Sequence, residues 1–147
     1  MQAHEEEGTE MENQALSTEL YWLVLTTLMT AVMWVPYIIN RILENGQLAA
    51  LKLVPLGVKP GADWAVRATA AHNNSVENLV IFATLILVVQ ISGSNSEFTA
   101  MAAMVYFLAR AAHYMIYLIG IPVVRTLTFA VSAFAQIGIA LRLLGWM

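Results

Sequence analysis

The sequence predicts an all-α membrane protein, folded as one bundle of four transmembrane helices. Three observations carry this. Of 147 residues, 59% are apolar and only 12% are charged, with a mean hydropathy of +0.67; soluble domains are about 45–50% apolar and about 25% charged. Four apolar stretches are long enough to cross about 30 Å of hydrocarbon at about 1.5 Å per residue. Between them lie the Gly, Pro, Ser and Asn residues that end helices. The length allows one bundle rather than two domains. The chain has no cysteine, which excludes disulfides, thiolate metal sites and a cysteine nucleophile.

Residues 1–17 carry Glu5, Glu6, Glu7, Glu10 and Glu12 and read as an acidic, disordered tail. The net charge of −3 comes from this tail, and Met11 within it is a candidate alternative start. No cleavable signal peptide is expected, because the first apolar segment is too long and acidic residues precede it. Residues 18–147 form the bundle. The first helix is expected over about 18–40, capped by Ser17 or Thr18 with Glu19 and kinked in its last turns by Pro36. Asn40, Arg41 and Glu44 mark its polar exit. Residues 45–63 hold Gly46, Pro55, Gly57, Pro60 and Gly61 with Lys52 and Lys59, and read as an ordered surface loop.

The second helix is expected over about 63–91, longer than a bilayer requires, so its Arg67 end projects into the headgroup region or a cavity. The turn Ser92-Gly93-Ser94-Asn95-Ser96 forces an antiparallel neighbour. The third helix, about 96–119, is apolar over 98–108 and then carries Arg110, His113, Tyr114 and Tyr117. Gly120-Ile121-Pro122 breaks the chain, and the fourth helix follows over about 123–146 with Arg125 in its first turn. Arg41, Lys52, Lys59, Arg67, Arg110 and Arg125 lie in or near the first and third loops, and only Arg142 lies at the other end. The positive-inside rule then puts those loops in the cytoplasm and both termini outside.

Ionisable groups within membrane spans are costly and mark function by default. On the second helix Arg67, Asn74, Glu77 and Asn78 fall at spacings of one helical stripe. On the third, Tyr106, Arg110, His113 and Tyr117 do the same. The antiparallel turns bring both stripes to the depth of Arg125. Guanidiniums, a carboxylate, amides, phenols and an imidazole at one level suit a small zwitterionic or anionic ligand. Arginine binds carboxylates bidentately, and Glu77 can take an ammonium group.

Each residue also has a plainer reading. Arg67 alone reads as a flanking residue that snorkels to the surface. Glu77 can pair with Arg67 or Arg110 to neutralise an internal charge. His113 can be a satisfied interior histidine, and the tyrosines can be interfacial belt aromatics. His72 lies off the stripe and reads as packing or surface. No metal site is expected, since the His72–Glu77 spacing is wrong and His113 lacks a carboxylate at ligand spacing. The coincidence of two polar stripes and Arg125 at one depth outweighs these readings taken singly.

The pattern Arg67-x-x-x-Ala71-His72-x-Asn74-x-x-Glu77-Asn78, then Arg110-x-x-His113-x-x-x-Tyr117, then Pro122-x-x-Arg125 resembles the MAPEG family, the membrane-associated proteins in eicosanoid and glutathione metabolism. The likeness covers roughly residues 20–145 and is greatest to the branch of microsomal glutathione transferases and prostaglandin E synthase. It implies a homotrimer that binds glutathione between neighbouring subunits near the cytoplasmic face. It implies that Asn74 and Glu77 hold the glutathione backbone, with Arg41, Arg67, Arg110, His113 and Tyr117 completing the site. Arg125 matches the arginine that stabilises the thiolate. The expected function is therefore a glutathione-dependent transferase or peroxidase acting on hydrophobic electrophiles or lipid hydroperoxides. The compact chain and the lack of targeting signals point to a bacterial inner membrane, with an endoplasmic reticulum membrane as the alternative. The chain departs from the catalytic members at Ala70 and Asn73, where arginine often stands, and at Phe129, where several have tyrosine. The alternative is a non-catalytic lipid-binding or scaffold protein of the same fold.

Overall fold

The computed structural model describes residues 16–45 and 62–147. The acidic tail before Leu16 and most of the expected 45–63 loop lie outside the described residues. Five helices account for nearly all of the rest: α1 (Thr18–Val32), α2 (Val35–Asn45), α3 (Asp63–Ile91), α4 (Glu97–Ile119) and α5 (Pro122–Leu143). The run Thr18–Glu44 and each of α3, α4 and α5 are long and apolar enough to span a membrane.

The first span is two helices, not one kinked rod. The break falls at Met33 and Trp34, earlier than the expected last-turn kink, and α2 continues to Asn45. Pro36 explains it, because proline offers no N–H to the Val32 carbonyl and its ring crowds the preceding turn. Proline is tolerated at the start of a new helix, where that N–H has no partner anyway. The Tyr114 hydroxyl donates to the Met33 carbonyl across the break (3.0 Å). Arg41 lies inside α2 rather than beyond the helix end.

The other boundaries follow their caps. Ser17 accepts from the Leu20 N–H and starts α1. Ser96 and Thr99 form a capping box at the start of α4, and Gly120, at φ 85, ends it in the left-handed conformation. Pro122 opens α5. The expected 123–146 helix closes at Leu143, where Gly145 (φ 72) turns the chain.

Short turns hold α3, α4 and α5 antiparallel, with α4 against α5 as the most extensive packing. Phe82, Ile86 and Val89 of α3, Ala102, Ala103 and Tyr106 of α4, and Ile139 of α5 form the core. The Phe82 and Tyr106 rings stack with centroids 3.8 Å apart. Ala65, Ala68, Ala71 and Ser75 give α3 a buried stripe of small residues, which lets neighbouring helices approach closely. Large apolar side chains such as Phe134 (71% exposed) and Val123 (72%) point outward, as expected where the surrounding solvent is hydrocarbon.

Candidate functional site

The antiparallel arrangement carries the polar half of α3, the polar half of α4 and the first turns of α5 to one end of the bundle. There a hollow of about 230 Å³ is lined by Asn74, His113, Tyr117, Arg125, Thr126 and Phe129. The Arg125 guanidinium carbon lies 4.5 Å from the centroid of the Tyr117 ring, a cation–π contact that holds an otherwise flexible side chain. None of the hollow's lining residues is a carboxylate. The N-terminal turn of α5 adds its own positive potential beside Arg125.

His113 is almost fully buried. Its Nδ1 lies 3.0 Å from the Arg125 carbonyl and 3.3 Å from the Thr128 hydroxyl. A carbonyl only accepts, so Nδ1 carries the proton and Nε2 keeps a lone pair. That Nε2 has no partner among the described residues. The His113 ring meets Tyr117 edge-on at 5.6 Å, which fixes the wall of the hollow.

Arg110 stands behind this wall rather than in it. It is 1% exposed, and its Nη2 donates to Asn74 Oδ1 and to Ser75 Oγ, both at 2.9 Å. Both acceptors are neutral. Occupying Oδ1 with Arg110 fixes the Asn74 amide, whose nitrogen is left free to donate. Arg110 Nη1 is also buried without a partner among the described residues. A buried cation with only neutral partners is expensive to hold, so this end of the bundle is set to welcome an anion.

Three expected site residues lie elsewhere in the protomer. Arg67 Nε donates to the Leu118 carbonyl at 2.9 Å and so caps the end of α4. Its guanidinium runs beneath Gly120, where an added Cβ would lie 3.3 Å from Nε. Glu77 is exposed on the flank of α3, with no side-chain partner among the described residues. Arg41 lies on α2, away from the hollow's lining. His72, read as packing or surface, pairs its Nδ1 with the Tyr37 hydroxyl at 2.9 Å and joins α3 to α2.

Sequence reasoning missed Ser75, Thr128 and Gln136. Gln136 Nε2 donates to the Asn78 carbonyl at 3.0 Å and pins α5 to α3. Ser75 was visible in principle, since it continues the small-residue spacing of Ala68 and Ala71. Thr128 and Gln136 gave no signal, because a single polar residue in an apolar helix does not say which neighbour it meets.

Fold and site define a class: an integral, multi-pass membrane protein with an arginine-bearing, aromatic-walled hollow at one end of a four-span bundle. The chain belongs to the MAPEG family, whose sequence model matches residues 20–145. Membership in that family suggests glutathione-related or eicosanoid metabolism and shows no specific activity. No individual curated protein matches it.

Proposed function

We propose that the protein is a glutathione-dependent transferase or peroxidase acting on hydrophobic electrophiles or lipid hydroperoxides dissolved in the bilayer. The observation that carries this is Arg125, braced on Tyr117 in a hollow whose lining has no carboxylate. The groups present fit an anionic thiol peptide. Asn74 and Arg125 can donate, His113 Nε2 can accept, and Arg110 adds an unneutralised charge behind them.

Glutathione supplies the thiol sulfur for either reaction. A free thiol ionises near pH 8.5. Arg125 and the α5 N-terminus hold positive potential where the proton leaves, and a drop of one unit raises the thiolate fraction about tenfold. Tyr117 keeps the guanidinium in place, and Phe129 and the surrounding apolar helices limit water. Thr126 adds a hydroxyl at the rim.

The proposal includes a homotrimer. Glu77 supports it: an exposed carboxylate without a partner, on a span with hydrocarbon around it, is costly. A neighbouring subunit that sets its Arg125 hollow against Glu77 removes that cost and gives the ammonium of the γ-glutamyl group a carboxylate. Arg41 and Arg67 complete the site from the same side. The arginine-rich end faces the cytoplasm of a bacterial inner membrane and the termini face outward.

Calorimetry of the detergent-solubilised protein with glutathione, followed by conjugation of a chloronitrobenzene, tests the reading. Saturable binding and turnover are expected. A protein that binds lipid but shows neither heat nor thermal shift with glutathione is instead a non-catalytic lipid binder. That second reading is favoured by Ala70 and Asn73, which add no charge to the hollow.

A further inference from the structure

We infer that the seam between α4 and α5, on the flank of α5 away from Arg125, is a binding groove for one acyl chain of a phospholipid whose headgroup carries a primary ammonium. Two hollows make the groove. One, of about 600 Å³, is lined by Phe98, Ala102 and Val105 of α4 and by Val131 and Phe134 of α5, with Glu97 at its mouth. The second, of about 280 Å³, shares Val105 and Val131 with the first and continues to Leu108 and Leu127. Sharing these two walls, they follow one another along the seam and are taken together as one trough. The inference is independent of the glutathione reading, because no residue of the trough lines the Arg125 hollow.

Depth and charge identify the occupant. From Glu97 to Ala109 the trough follows twelve residue steps of α4, about 18 Å at 1.5 Å per residue. One leaflet contributes about 15 Å, half of a hydrocarbon core of about 30 Å. The trough therefore runs from headgroup level to just past the bilayer midplane, the reach of one acyl chain. Glu97 is the first residue of α4, at the boundary of the span, and it is exposed with no side-chain partner among the described residues. A carboxylate at that level matches an ammonium headgroup and repels a second anionic one.

The shape of the wall agrees. Gly138 lets the Phe98 ring lie against α5, where an added Cβ would sit 3.0 Å from its Cζ. The ring is thus held as one side of the trough while Ala102 and Ala135 keep the floor low. A second copy of this chain is the competing occupant. The trimer contact proposed above joins the Arg125 hollow to Glu77 and uses no residue of the trough; a two-fold contact through this face would set Glu97 against Glu97 at equal depth, a like-charge pair that the ammonium lipid avoids.

Native mass spectrometry of the full-length protein, with phosphatidylethanolamine and phosphatidylglycerol of matched acyl chains, tests the assignment. The wild type is expected to hold one phosphatidylethanolamine per protomer, about fivefold more tightly than phosphatidylglycerol. Val131→Trp fills the trough at an exposed position shared by both hollows and weakens either lipid by about tenfold or more. Glu97→Gln abolishes the headgroup preference while phosphatidylglycerol binding persists, and this arm stands even where the tryptophan disturbs folding. Equal affinity of the wild type for both lipids, or adducts indifferent to Val131→Trp, overturns the proposal. So does a second copy in the trough, detected as rapid disulfide formation between copies of Met101→Cys, which is the only cysteine in that variant.

Discussion

The two ends of the bundle use their polar residues in opposite ways. At the α4 N-terminal end, polar groups close on one another. Glu19 is 3% exposed and accepts from the Thr99 hydroxyl at 2.5 Å. Ser17 donates to Gln90 at 2.8 Å, and Asn95 donates to the same oxygen at 3.3 Å. The capping box satisfies the first turn of α4. At the Arg125 end, Arg110 Nη1 and His113 Nε2 are buried without partners among the described residues, and a hollow opens beside them. An end built to hold helices together leaves few bonds unmade. At the Arg125 end the unmade bonds are those that the proposed ligand would use.

Mutations should separate the ends. Arg125→Ala should give the largest effect, a fall of about a hundredfold or more in kcat/KM for glutathione conjugation, as for other single groups that stabilise developing negative charge. Its thermal unfolding should move little, since the cation–π contact is worth only about 1 kcal/mol. Thr99→Val should do the reverse. It leaves the buried Glu19 carboxylate short of its donor and costs about 2–3 kcal/mol, read as a lower unfolding temperature with unchanged glutathione affinity. If the affinity drops instead, the ends are not independent.

Gly120→Ala tests the junction between the two roles. The left-handed backbone there costs a side chain about 1–2 kcal/mol, and the new methyl presses on Arg67. Stability should fall by that amount, with a small change in KM. The smallest effect is expected for Tyr37→Phe, which removes one hydrogen bond to His72 worth about 1 kcal/mol; differential scanning of the detergent complex checks it.

The sequence carried the four spans, their antiparallel order and the common depth of the polar groups, because length, hydropathy and short turns fix these without reference to packing. It carried less about rotation. Asn74 and Glu77 lie three residues apart, which places them about 60° apart around α3. That is near enough to share a stripe, yet Asn74 lines the hollow and Glu77 faces outward. Arg67 lies on the same stripe, but its long side chain reaches the Leu118 carbonyl instead. Arg110 lies on the expected face of α4 but is buried behind the hollow's wall, where it bonds Asn74 and Ser75. Spacing gives the direction of a Cβ, whereas the reach of an arginine is settled by whichever acceptor the neighbouring helix leaves open. The break at Met33 was signalled by Pro36, which interrupts the ladder at the Val32 carbonyl four residues earlier; the Tyr114 bond across it was not legible, because Tyr114 is distant in sequence.

That break has a consequence for the entrance to the bundle. The ladder of backbone bonds that makes a helix a stiff lever is interrupted between Val32 and Val35, so α1 imposes little direction on α2. The bearing of α2 is set from outside, by the phenol of Tyr114 on the Met33 carbonyl and by the imidazole of His72 on Tyr37. Arg41 is therefore aimed by the second and third crossings of the membrane, although it is covalently part of the first.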